Sequence, residues 1–152
     1  MSILHKIITD KKQEVQLKKS SIPVSQLETS VLFNSRTHSL SKLLKNSASG
    51  IIAEHKRRSP SKSIINNNHS IEDVVLGYQK AGVCGISVLT DSKYFGGSLD
   101  DLLLVKASVN IPLLRKEFVT DEYQLLEAKA FGADAILLIA AVLSREEIKN
   151  LS

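Results

Sequence analysis

The chain has 152 residues, with 20 lysines and arginines against 16 aspartates and glutamates for a net charge of +4, and 43% hydrophobic content. That balance describes one globular domain and excludes a disordered tail. A net positive charge and the run His55-Lys56-Arg57-Arg58 raise nucleic acid as a partner, but the remaining cations are dispersed among acids and no recognition-helix, zinc-finger or stacking-strand pattern accompanies them, so small anionic ligands fit better.

Residues 1–48 read as a helical extension, polar overall, with Leu4, Ile7, Ile8 and Val15 at approximate helical spacing and Leu43 and Leu44 after a break. The first twelve residues mix those apolar side chains with His5, Lys6, Asp10 and Lys11, which is not the continuous apolar stretch of a secretory signal. Residues 49–152 then carry four short apolar runs that read as buried strands: Ile51 to Ala53, Cys84 to Leu89, Ile111 to Leu114 and Ala133 to Ile139. Helical segments lie between them. Ser70 with Asp73, Ser98 with Asp101 and Ser144 with Glu147 fit the Ser-x-x-acid capping pattern. Ile71, Val74, Val75 and Tyr78 form one apolar stripe, Leu99, Leu102 and Leu103 another, and Gly82 and Gly132 sit where helices should stop.

Cys84 is the sole cysteine, which rules out an intrachain disulfide and a cysteine-cluster metal site. The longest apolar run, Ala135 to Leu143, falls well short of the roughly 20 residues a membrane helix needs, so a cytoplasmic address is expected. Alternating strands and helices imply an α/β fold with parallel strands joined by right-handed crossovers. A flavodoxin-like or dinucleotide-binding sheet competes with a barrel, although no Gly-x-Gly-x-x-Gly turn follows the first strand.

The end of that strand carries charge instead. Glu54 and Lys56, two residues apart, project from one face and His55 from the other. Lys116 ends the third strand on the face of Leu114. In a barrel, Glu54, Lys56 and Lys116 converge at the C-terminal mouth, where barrel enzymes keep their chemistry. A structural salt-bridge network at the strand rim is the alternative, and periodicity does not separate the two. Ser59-Pro60-Ser61 is either a phosphate-holding turn or a plain turn, and Phe95 before Gly96-Gly97 faces either a planar ligand or the core.

Taken together, Ile52-Ala53-Glu54-His55-Lys56-Arg57-Arg58-Ser59-Pro60-Ser61, Ile86-Ser87-Val88-Leu89-Thr90-Asp91 with Tyr94-Phe95-Gly96-Gly97-Ser98, Pro112 to Phe118 and Gly132 to Ile139 strongly resemble indole-3-glycerol-phosphate synthases, in order and across essentially the whole chain. The resemblance implies a TIM (β/α)8-barrel enzyme of tryptophan biosynthesis that converts 1-(2-carboxyphenylamino)-1-deoxyribulose 5-phosphate to indole-3-glycerol phosphate with loss of carbon dioxide and water. It implies no cofactor and no metal. By the same resemblance Lys116 matches the general acid, Lys56 the lysine that meets the substrate carboxylate, and Glu54 the carboxylate that organises both. Ser59 matches a phosphate contact, and Phe95 and Phe118 match apolar contacts to the substrate's aromatic part.

A complete barrel of this kind takes about 250 residues, and four strand-helix units are visible, so the sequence reads as the N-terminal half. The resemblance places a further glutamate, an asparagine and most of the phosphate cradle on later strands. A half-barrel leaves two sheet edges unpaired and is expected to self-associate or to bind a C-terminal half. The other reading is a noncatalytic half-barrel interaction module that needs such a partner. Ser63 stands where the family commonly has glycine, which strains the loop if that position requires positive φ. Asn66-Asn67-Asn68 reads as a polar lid or a simple connection.

Overall fold

The structure is a computed structural model that describes residues 2–152. It opens with helix α1 (Ile3–Ser21), capped by the Ser2 side chain, which accepts from the His5 amide; Lys18 and Lys19 sit in the last turn, where cations suit the helix dipole. Its inward stripe is Ile7, Lys11 and Val15, so a lysine occupies the middle of a buried face. Two short helices follow, α2 (Val24–Leu27) and α3 (Leu40–Asn46).

Four parallel strands come next: β1 (Ile52–His55), β2 (Gly85–Leu89), β3 (Leu113–Lys116) and β4 (Ala135–Ile136). Helix α4 (Ile71–Lys80) links the first two, α5 (Ser92–Phe95) and α6 (Leu99–Ser108) the next, and α7 (Tyr123–Ala130) the last, before α8 (Arg145–Leu151). The strand order is β1-β2-β3-β4. That unbroken progression removes the flavodoxin-like alternative, because a doubly wound sheet reverses its order at a switch point whereas a barrel wall does not.

The register Glu54↔Ser87 and Ser87↔Leu114 fixes the two faces of the sheet. On one face, Ile86, Val88 and Leu113 pack beneath α4 and α6 against Ile71, Val75, Leu102 and Val105, all buried. Removing such side chains from water stabilises the sheet by roughly 1.5–3 kcal/mol each. The opposite face carries Ile52, Glu54, Leu89, Leu114 and Lys116 and corresponds to a barrel interior. The N-terminal helices pack outside the wall, with Val15, Leu27 and Phe33 against Tyr123 and Ala130 of α7. No helix among the described residues is long and apolar enough to cross a membrane.

Several expected details shift. The third strand begins at Leu113 rather than Ile111, because Pro112 has no amide hydrogen for the ladder and only its carbonyl pairs, with Ile86. The fourth pairs only over Ala135–Ile136, opposite Leu114 and Arg115 of β3. Of the three capping serines, all accept from the residue three on, yet only Ser144 and Glu147 close the reciprocal box. Asp101 turns its carboxylate to Arg57 instead. Leu103 is 42% exposed, and Val105 takes its place on the buried stripe. Gly82 and Gly132 end their helices with φ of 81° and 86°, whereas no described non-glycine residue has positive φ, so Ser63 is unstrained there.

Arg115, on the helix-facing side of β3, is 1% exposed. Its guanidinium donates to the Gln124 carbonyl (2.8 Å), the Thr90 hydroxyl (3.0 Å) and the Glu127 carboxylate (3.3 Å). Deleting one partner of a buried ionic cluster strands the others, so Arg115→Met is expected to lower the unfolding free energy by about 3–5 kcal/mol in urea titration. A loss below about 1 kcal/mol, the range of an exposed pair, would contradict that reading.

Candidate active site

At the C-terminal end of β1 the chain turns Glu54 and Lys56 to the interior face and His55 to the buried helix-facing side. Glu54 Oε1 lies 2.8 Å from Lys56 Nζ and Oε2 lies 2.8 Å from Lys116 Nζ. One carboxylate thus bridges two ammonium groups, and this is an ion triad rather than three separate rim charges. Burial opposes ionisation of Glu54, but the Lys116 and Lys56 ammonium groups outweigh it and hold the carboxyl below its usual range. Burial, reinforced by the Arg57 charge, pushes the His55 imidazole down, which favours its neutral form away from the site.

The triad borders a cavity of about 110 Å³ whose walls include Leu89, Asp91, Phe95, Glu117, Phe118, Leu137 and Ile139. A larger cavity, about 350 Å³, lies between the N-terminal helices and α6 and α7, but its lining is mainly apolar and its Lys18 and Glu127 charges are paired with each other at 3.1 Å. The smaller cavity is the candidate site because three ionic side chains, each about one-third exposed, converge there beside two aromatic rings. Phe95 and Phe118 face each other across its rim, ring centroids 6.1 Å apart and tilted by 39°. Phe95 is therefore not a core residue.

The loops that carry these rings are tightly specified. Asp91 caps α5, accepting from the amides of Tyr94 (2.7 Å) and Phe95 (3.2 Å). Gly97 then doubles back so closely that a Cβ there would lie 1.9 Å from the Leu89 carbonyl oxygen, which no side chain tolerates. From the β1 loop, Arg57 donates to the Gly96 carbonyl (3.2 Å) and pairs with Asp101, while Arg58 donates to the carbonyls of Ser92 (2.8 Å) and Lys93 (3.1 Å). After β3, Glu117 accepts the Phe118 amide (2.9 Å) and the Thr90 hydroxyl (2.9 Å).

Five of the six expected residues, Glu54, Lys56, Lys116, Phe95 and Phe118, meet at one cavity. Ser59 stands apart from its walls. It forms a turn in which its amide donates to the Lys62 carbonyl (2.8 Å) and its hydroxyl accepts from the Lys62 amide (3.1 Å). Asn66 likewise makes a local turn, its side-chain oxygen accepting from the Asn68 and His69 amides. Sequence reading missed Asp91 and Glu117, whose acidic side chains follow apolar runs without a distinguishing pattern. It also missed Lys11, although the helical spacing Ile7, Lys11, Val15 placed a cation on the buried stripe.

A family model for indole-3-glycerol phosphate synthase matches residues 4–152. The chain belongs to the indole-3-glycerol phosphate synthase family. Among curated relatives of that name it is 46% identical over 150 residues to the Bacteroides thetaiotaomicron protein, covering 99% of this chain and 58% of the relative. It is 41% identical over 153 residues to that of Aliarcobacter butzleri, covering 98% and 58%, and 45% identical over 139 residues to that of Aquifex aeolicus, covering 91% and 54%. The chain thus spans 54–58% of the length of these curated relatives. Its parallel four-strand wall agrees with the first units of a (β/α)8 barrel.

Because the folded Glu54 carboxyl is depressed, the stabilisation it brings is complete above its unfolded pKa and is lost as pH falls through the folded value. Carbon-detected NMR titration is expected to place the Glu54 midpoint below the ordinary value of about 4.3, and Lys116→Met should raise it. An unmoved midpoint in that variant would mean that the ion triad does not form in solution.

Proposed function

We propose that this chain carries the family's reaction, closing the indole ring of 1-(2-carboxyphenylamino)-1-deoxyribulose 5-phosphate to give indole-3-glycerol phosphate, carbon dioxide and water as a carboxy-lyase of cytoplasmic tryptophan biosynthesis. The observation that carries the reading is the bridging of Lys56 and Lys116 by Glu54 beside two facing phenylalanine rings.

The chemistry asks for that combination. The ring carbon that bears the carboxylate attacks the ketone carbon, and the carbonyl oxygen gathers negative charge as the new carbon–carbon bond forms. In the proposed mechanism the Lys116 ammonium donates a proton to that oxygen, and general acid assistance of this kind contributes about 10²–10⁴-fold. Lys56 meets the carboxylate until the carbon–carbon bond to it breaks, returning its electron pair to the ring and releasing carbon dioxide. Loss of the protonated oxygen as water, with a proton from the adjacent carbon, completes the pyrrole ring. Glu54 keeps both cations within reach and offsets their mutual repulsion. Phe95 and Phe118 receive the planar aromatic part, and Ser59, in its turn beyond the cavity, contacts the phosphate. Binding at both anionic ends holds a flexible chain in a reactive bend, which converts binding energy into rate.

Within this reading residues 1–48 are the helical extension and 49–152 the first half of the barrel. The remaining wall and anion contacts come from the C-terminal half of the barrel, supplied within a longer chain, by a partner chain or by a second copy, a proposal supported by the 54–58% coverage of the relatives and by the sheet order, which leaves the outer edges of β1 and β4 unpaired among the described residues. The unpaired edges equally favour the second reading, a noncatalytic half-barrel module that binds such a partner.

Indole-3-glycerol phosphate formation by the chain, alone and with a separately produced C-terminal half-barrel of the family, separates the two. Product in either format supports the enzyme, and product in neither supports the module. In the active format, Lys116→Met is expected to lower kcat by about 10²–10⁴-fold with KM little changed, whereas Lys56→Ala should raise KM about tenfold and lower kcat as well. Equal, small effects from both would contradict the roles assigned here.

A further inference from the structure

Lys11 reaches from α1 to the turns after β2 and β3 that carry the site. Its side chain is 2% exposed, and its ammonium lies 2.9 Å from Asp91 Oδ2, 3.3 Å from Glu117 Oε1 and 2.7 Å from Glu14 Oε2. Burial works against the charge, but Glu117, Glu14 and Asp91 outweigh it and hold the ammonium well above the ordinary lysine range. Asp91 and Glu117 both line the candidate cavity, and Lys11 does not.

Each of those carboxylates has a second task. Asp91 holds the Phe95 amide through its other oxygen, and Glu117 holds the Phe118 amide. Lys11 is therefore the shared partner of two buried anions, each of which fixes the backbone of one aromatic wall of the site. Without the cation the two carboxylates are left as like charges with little solvent, so they move apart and carry the rings with them. The neighbouring residue grips the same segment, since Asp10 accepts from Lys93 Nζ (2.7 Å) and from the Tyr94 hydroxyl. Glu117 is joined through the Thr90 hydroxyl to Arg115, so the arrangement continues into the wall.

We propose that Lys11 is a positioning residue of this site, holding Asp91 and Glu117 together and through them setting the spacing of Phe95 and Phe118 that admits the aromatic part of the substrate. The substrate named here rests on the reaction proposed above; the control of ring spacing does not. A residue that merely stabilised the fold would lower melting temperature without separating KM from kcat. One that sets the aromatic slot weakens binding of the planar group while the Glu54–Lys116 pair, anchored on the strands, keeps its chemistry.

The experiment compares Lys11→Met, Lys11→Gln, Lys11→Arg and Asp10→Asn, with Lys19→Met as a surface control. Two readouts use the 152-residue chain itself: the nuclear Overhauser contact between the Phe95 and Phe118 rings, and hydrogen exchange at their amides. The third is steady-state kinetics in whichever format proves active. Lys11→Met is expected to lose the ring contact, to quicken exchange at both amides by about tenfold, and to raise KM about tenfold with kcat within about threefold. Lys11→Arg, which keeps the charge, should recover the ring contact and most of the KM. Asp10→Asn, which loosens the Lys93–Tyr94 segment alone, should quicken exchange at Phe95 and leave Phe118 unchanged, and Lys11→Gln, which keeps a donor without the charge, decides the matter if Lys11→Met does not fold. A folded Lys11→Met with ring contact and exchange unaltered would overturn the proposal, as would a folded Lys11→Gln with both unaltered when the methionine variant is unfolded. If no format yields product, the reaction reading fails while the ring contact and amide exchange still decide the role of Lys11.

Discussion

The period of two along a parallel strand sorts every strand-borne charge in this structure. With Glu54 opposite Ser87, and Ser87 opposite Leu114, a shift of one residue in any pairing would exchange the inward and outward sets. Glu54 and Lys116 would then enter the apolar layer under the helices, and His55 and Arg115 would face the barrel interior. The buried contacts of Ile86, Val88 and Leu113 with α4 and α6 oppose such a slip, so the hydrophobic layer on one side of the sheet holds the polar chemistry on the other in place.

Two charge systems result, and they obey different physics. The inner one, Glu54 with Lys56 and Lys116, is about one-third exposed, so solvent screens it and its ammonium groups remain available to a ligand. The outer one runs from Lys11 through Asp91 and Glu117 to Thr90, Arg115 and Glu127, nearly all of it buried and saturated by partners. Its value is geometric. It ties a helix from the first twenty residues to the turns after β2 and β3, where both aromatic walls of the cavity begin. The sheet thus separates the inward Glu54–Lys56–Lys116 charges from the buried Arg115, and Asp91 and Glu117, just past the strand ends, join the buried network to the cavity wall.

The sequence made the local half of this arrangement legible. Capping serines, stop glycines and apolar runs act over a few residues, and Ser70, Ser98, Ser144, Gly82 and Gly132 behave as their chemistry requires. The Glu54–Lys56 spacing likewise revealed a shared face, although only the register of β3 shows that Lys116 reaches the same carboxylate. What stayed hidden depends on partners far along the chain. Lys11 went unassigned because Asp91 and Glu117 arrive from other elements, and Asp101 looked like a capping-box acid until Arg57 drew its carboxylate away. The start of the third strand was misplaced for a simpler reason, since Pro112 withholds a donor from the ladder.

In the proposed reaction, the inward Glu54–Lys56–Lys116 face, bounded by Phe95 and Phe118, is where a carboxylated aromatic phosphate binds. The most direct test is NMR of the lysine side chains while the unreactive analogue with its ketone reduced to an alcohol is added, with and without the complementary half-barrel. The expected result is saturable shifts at Lys56 and Lys116 in at least one format, with Lys19 and Lys106 unmoved. Saturable shifts confined to lysines away from the barrel mouth would contradict it, as would none in either format.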